Sequence, residues 1–258
     1  MNKFLNLLQF LTRITVSKKL KYNEEMGSAM VYFPVVGIVI GSILIAVYGV
    51  MNILLTRKFH IMEASAIVLL EAIITGGLHI DGFGDTFDGL FSYRSKERVL
   101  EIMKDPTMGT NGILAIVFLI IFKIAALYIS IENSMYWTIF AMPVAGRLTP
   151  VVMSYKAVSA RKNGMGELFI GKCSGGNLAG AVIISGVTVF VSSIMENREA
   201  VDSLIYAAVI IIIIIYALLF RRSVYKQIDG ITGDILGCST EMGELIFIIY
   251  TVLISQIM

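Results

Sequence analysis

At 258 residues, 57% hydrophobic and only 16% charged, the chain carries more apolar surface than one soluble core can bury, so the lipid bilayer is its expected solvent. A net charge of +2, with basic residues scattered between apolar runs, argues against a nucleic-acid-binding surface. The two cysteines, Cys173 and Cys238, fall in separate polar loops without CxxC spacing, which argues against a disulfide framework and a structural zinc site.

The first twenty residues lack the apolar core and small-residue cleavage site of a signal peptide. Instead Phe4, Leu7, Leu8, Leu11 and Ile14 recur at helical spacing, with Lys3, Asn6, Gln9, Thr12 and Arg13 on other faces. This pattern predicts an amphipathic helix lying in the membrane interface. Seven segments then approach the roughly 20 apolar residues that a span requires: 31–54, 61–80, 111–131, 135–153, 177–195, 203–220 and, more weakly, 243–258. The expected fold is therefore all-α: a polytopic integral membrane helix bundle of about seven transmembrane helices, forming one domain over 1–258. Glu63, Glu71 and His79 in the second span, and Arg147 with two prolines in the fourth, predict that these two segments face protein or water.

With the N-terminus in the cytoplasm, segments 1–30, 81–110, 154–176 and 221–242 hold sixteen of the twenty-one basic residues, and the outside loops hold only Arg57, Lys58 and Arg198. The positive-inside rule thus predicts a multi-pass protein of the cell membrane with a cytoplasmic N-terminus. The same topology gathers the glycine-rich loops HIDGFGDTFDG, MKDPTMGTNG, ARKNGMG and DGITGDILG on the cytoplasmic face. A charged, water-soluble ligand arriving from the cytosol supplies a reason for that shared side.

Asp81, Asp85 and Asp88 are spaced by four and three residues, which places them within about 60° of one helix circumference. Three stacked carboxylates repel one another unless a cation neutralises them, and Mg2+ suits oxygen ligands with room left for a phosphate. Gly82 and Gly89 lie beside the stripe and leave space for close approach of a ligand or a helix. Salt bridging to Arg94, Lys96 and Arg98 is the plainer reading, and a proton or cation pathway is a third. His79 lies about 200° around the helix from Asp81, which suits packing; it becomes a proton acceptor for the site only if the neighbouring glycines bend the chain. Lys104, Arg147 and Arg161 are cations able to neutralise phosphate oxygens. Arg147 stands out, since a charge within a span costs about 2.5–3.5 kcal/mol even on the mildest scale. Metal-bound aspartates with such cations are equipment for phosphoryl-type transfer.

TGGLHIDGFGDTFDGLF at 75–91 and EIMKDPTMGTNG at 101–112, with FLTRITV at 10–16, YFPVVGIVIG at 32–41, GMGELF at 164–169 and GITGDILG at 230–237, resemble the signature of the cobalamin synthase family, the adenosylcobinamide-GDP ribazoletransferases. The likeness runs in order over nearly the whole chain. It implies a magnesium-dependent transferase in which a ribose hydroxyl of α-ribazole, or of its 5′-phosphate, attacks the corrin-side phosphate of adenosylcobinamide-GDP and expels GMP. It maps the metal ligands onto Asp81, Asp85 and Asp88, and puts Gly164, Gly230, Gly233 and Asp234 among the substrate-binding residues. Asp234 serves as a further ligand or as a helix cap, and Asp229 departs from the glycine expected before Gly230. The stripe is also similar to that of the CDP-alcohol phosphotransferases, but DGFGDTFDG lacks their Ala-Arg pair and longer gap. A cation-coupled transporter is the non-enzymatic alternative. The small-residue faces suit packing within one chain as well as between copies in a homo-oligomer.

Overall fold

The computed structural model describes residues 2–16, 26–54, 59–162, 164–196 and 198–257; Lys18, Lys19, Lys21, Arg57 and Lys58, used above for orientation, lie outside them. Among the described residues there are eleven α-helices, two short 3-10 helices and no β-strand. Five helical stretches are long and apolar enough to cross a membrane: Met26–Leu54, Thr110–Glu132, Gly175–Met195, Ala200–Ile228 and Gly233–Ser255. A sixth is formed if a bent pair, His60–Thr75 with Leu78–Leu90, counts as one span. The all-α, multi-pass character is as expected, and the count of about seven comes down to five or six.

The helices are α1 (Asn2–Leu11), α2 (Phe33–Leu54), α3 (His60–Thr75), α4 (Leu78–Leu90), α5 (Lys96–Ile102) and α6 (Thr110–Glu132), followed by α7 (Trp137–Ser154), α8 (Gly175–Met195), α9 (Ala200–Ala207), α10 (Val209–Ile228) and α11 (Gly233–Ser255). The apolar stripe of α1 buries Leu7, Leu8 and Leu11, with α1 lying against the 3-10 turn Met26–Tyr32. At the centre stands α7, in which every residue except Phe140 is buried. It packs against α2, α8, α10 and α11. Glycines bring these helices to backbone contact: a Cβ on Gly37 of α2 would lie 2.6 Å from the Val144 Cα, and one on Gly243 of α11 would lie 3.2 Å from the Gly146 Cα. In a bilayer, where apolar surfaces gain little by meeting, such close backbone packing is what holds helices together.

Three expectations change. The segment predicted as one span at 61–80 is broken near its end by a 92° bend between α3 and α4. The cause is Gly76 and Gly77, both in the left-handed region with φ of 64° and 73°, which terminate α3 and start α4 in a new direction. The predicted loop 221–242 is mostly helix, because α10 runs to Ile228 and α11 starts at Gly233. Thr232 caps α11 by accepting the Ile235 N–H at 3.3 Å, so the last span begins ten residues earlier than the apolar run alone suggests. Asp229 closes α10 with φ 55°, the left-handed conformation that explains the glycine expected there; aspartate is among the few other residues that adopt it.

Cys238 lies within α11 rather than in a loop, and both thiols are buried and free. Burial pushes the Cys173 thiol up to about 11, far from a reactive thiolate. Cys173→Ser and Cys238→Ser are expected to keep turnover within about twofold of the parent, measured on purified protein, because a buried unionised thiol behaves as a small packing group.

Candidate active site

The 92° turn at Gly76–Gly77 lays α4 across the bundle, where it crosses the first turns of α11. The crossing is tight because two glycines remove side chains from it. A Cβ on Gly82 would lie 2.8 Å from the Asp234 carbonyl oxygen and 3.0 Å from its Cα; one on Gly237 would lie 3.3 Å from the His79 Cα. Asp81 and Asp85 of α4 thereby come beside Asp234 of α11. The charges acting on Asp85 are those of Asp81, Asp234 and Asp88, opposed by the Arg161 guanidinium. Neither Asp81 nor Asp85 makes a side-chain hydrogen bond or ion pair among the described residues.

Gly82→Ala is expected to lower turnover about 100-fold in a folded protein, since a displacement of about 1 Å between reacting groups has that effect. Gly49→Ala, at a position with nothing within 4 Å of the added carbon, is the control that should keep full turnover in the same assay.

Arg161 reaches the site from the segment after α7. That segment is pinned to the loop before α11: Ala160 N–H donates to the Ile231 carbonyl at 2.9 Å, and Ile231 N–H donates to the Val158 carbonyl at 3.0 Å. Gly230 permits this pairing, because a Cβ there would lie 2.7 Å from the Ala160 nitrogen. The Arg161 Nη2 pairs with the Asp234 carboxylate, which also accepts from the Thr232 hydroxyl at 3.2 Å. The Arg161 Nη1 is buried without a partner.

Asp81, Arg161 and Asp234 line one cleft, together with His79, Gly233 and Gly237 and, on its apolar side, Phe10, Phe33 and Phe169. Of the residues singled out in the sequence, this arrangement brings together His79, Asp81, Asp85, Arg161, Gly233 and Asp234, with Gly82 and Gly230 as the points of close approach. Others lie elsewhere. Gly164 stands behind Arg161, 3.5 Å from its Nε to an added Cβ, and Gly89 packs against Met103 of the turn after α5. Lys104 is exposed in that turn. Asp88 is buried, and both its oxygens are occupied: Oδ2 accepts the Gly109 N–H at 2.6 Å and Oδ1 the Gly112 N–H at 2.8 Å, at the start of α6. No group of three or more His, Cys, Asp or Glu side chains among the described residues is drawn together as a ready-made metal centre.

Arg147 belongs to a charge network that the sequence reading missed. Its Nη1 donates to Glu71 at 3.0 Å and also pairs with Glu244, while Lys123 Nζ reaches Glu71 at 3.1 Å, Glu241 at 2.9 Å and Glu244 at 2.5 Å. Three carboxylates and two cations from α3, α6, α7 and α11 are thus buried together. The network meets the cleft at His79, whose Nδ1 lies 3.5 Å from Arg147 Nη2. The signal was present: each of these charges interrupts an otherwise apolar helix, and only pairing makes such a residue tolerable.

A family described as cobalamin-5-phosphate synthase matches residues 3–252. A protein of Clostridioides difficile (strain 630) named adenosylcobinamide-GDP ribazoletransferase is 42% identical over 257 residues, covering 98% of each chain. Proteins of the same name from Alkaliphilus metalliredigens and Fusobacterium nucleatum are 40% and 36% identical, covering 99% and 96% of this chain and 96% of each relative. No solved structure matches.

Proposed function

The chain belongs to the cobalamin-5-phosphate synthase family, and from that premise we propose that its cleft joins adenosylcobinamide-GDP to α-ribazole or α-ribazole 5′-phosphate. In this reaction a ribose hydroxyl oxygen forms a bond to the corrin-side phosphorus. The pyrophosphate P–O bond breaks, the hydroxyl proton is lost to the site or solvent, and GMP leaves. The observation that carries the reading is the convergence of Asp81, Arg161 and Asp234 on one cleft at the glycine-lined crossing of α4 and α11.

The chain's own groups have distinct tasks. Arg161, with one nitrogen tied to Asp234 and the other unpartnered, offers donors to the phosphate oxygens, and a guanidinium suits them in geometry as well as charge. Phe10, Phe33 and Phe169 form an apolar wall that excludes water from one side of the cleft and can lie against the flat faces of corrin or benzimidazole. The residues fit Mg2+ in chemistry: Asp81, Asp85 and Asp234 are hard oxygen donors with one guanidinium among them, and Asp81 and Asp85 have no cationic partner of their own. These three carboxylates would hold it, and a bound Mg2+ supplies charge stabilisation at the transferring phosphate. The basic residues Arg94, Lys96, Arg98 and Lys104, close after α4 in sequence, support a cytoplasmic opening of the cleft, within a multi-pass protein of the cell membrane.

The test is direct. Membranes containing the protein, supplied with Mg2+, adenosylcobinamide-GDP and α-ribazole, should yield a cobamide and GMP in equal amounts by mass spectrometry. Chelation by EDTA should stop the reaction and added Mg2+ should restore it. Turnover of CDP-alcohol substrates with no cobamide formed would overturn the assignment.

A further inference from the structure

We propose that Asp88, the third carboxylate of the acidic motif, is a positioning residue that anchors the start of α6 against α4, and is not a ligand of the metal. Both of its oxygens are spent on backbone amides, those of Gly109 and Gly112, at 2.6 and 2.8 Å. These are two of the orphan N–H groups at the α6 N-terminus, and a carboxylate is the strongest acceptor for them. The surroundings are shaped to the carboxylate. A Cβ on Gly109 would lie 2.6 Å from Asp88 Oδ1, and one on Gly112 would lie 2.5 Å from Oδ2 and 2.8 Å from the Gly84 carbonyl oxygen. The glycines of TMGTNG are thus explained by the space that Asp88 occupies.

The anchoring has a consequence for the cleft region. It presses the turn before α6 onto α4, where Met108 fills the space that a Cβ on Gly84 would need, 2.6 Å from its Cε. Met108 and Asp81 line one recess together with Arg13. Asp88 therefore acts through the α6 N-terminus on the placement of α4, and the three-residue spacing of Asp85 and Asp88 reflects two tasks on one helix face. The proposal rests on the metal-assisted reading above.

Its test separates the two. Mn2+, a paramagnetic substitute for Mg2+, is titrated into the purified full chain and its variants and followed by electron paramagnetic resonance. Backbone hydrogen exchange of the 108–113 segment is measured in parallel by mass spectrometry. Asp88→Asn and Asp88→Ala should keep the Mn2+ affinity within about threefold, while Asp85→Asn loses about tenfold or more. Exchange across 108–113 should rise about tenfold or more in Asp88→Ala, as local protection is lost. Gly112→Ala, which displaces the carboxylate from the other side, should reproduce that exchange and keeps the test available if Asp88→Ala does not fold. A drop in Mn2+ affinity to the Asp85→Asn level in Asp88→Asn, or unchanged exchange in both Asp88→Ala and Gly112→Ala, overturns the proposal. If the parent protein binds no Mn2+, the metal reading falls, and the exchange measurement alone decides the role of Asp88.

Discussion

Asp85→Ala is expected to lower kcat at least about 1000-fold, the scale of losing a charge-stabilising element from a transfer site, while the protein stays folded and becomes no less stable. The two halves of this expectation have one cause. Asp85 stands in the repulsive field of Asp81, Asp234 and Asp88, so removing its charge relieves the folded state while stripping the site of an oxygen donor. A melting temperature equal to or above that of the parent in detergent, together with loss of GMP release, would match it. Turnover within about tenfold of the parent would remove Asp85 from the machinery.

Lys123→Met should do the opposite, unfolding the protein before chemistry can be assessed. The ammonium is buried and contacts Glu71, Glu241 and Glu244. Without it three buried carboxylates share only the Arg147 guanidinium, and breaking a buried pair from one side costs about 3–5 kcal/mol. Thermal melts and the yield of monodisperse protein would register this. Lys123→Met combined with Glu241→Gln should recover part of the loss, because the second change removes a charge left uncompensated. A Lys123→Met protein within about 1 kcal/mol of the parent would show that the network is not structural.

Much of this architecture was legible in the chain itself. Apolar runs located most of the spans, and the four-and-three spacing of Asp81, Asp85 and Asp88 put them on one helix face. What spacing cannot tell is what lies opposite that face. Asp88 meets the α6 amides while Asp81 meets the cleft, a distinction set by residues more than twenty positions away. The pairing of Glu71, Lys123, Arg147, Glu241 and Glu244 was hidden for the same reason: each charge is visible in its own helix, but its partners belong to other helices. Arg147 accordingly moves from the substrate phosphates into this network, meeting the site at His79. Thr232 and Asp229 carried local signals, a cap and a left-handed residue, that apolar averaging at the start of α11 passes over.

The elbow at Gly76–Gly77 also fixes a depth. With 16 residues, α3 is about 24 Å long, shorter than the roughly 30 Å hydrocarbon thickness of a bilayer. A chain that turns by 92° after that distance does not continue as one straight span, so α4 forms a ledge against the first turns of α11. Lengthening α3 by one turn would shift the ledge by about 5.4 Å relative to α11, and turnover should fall as the close approach of Gly82 to Asp234 is lost.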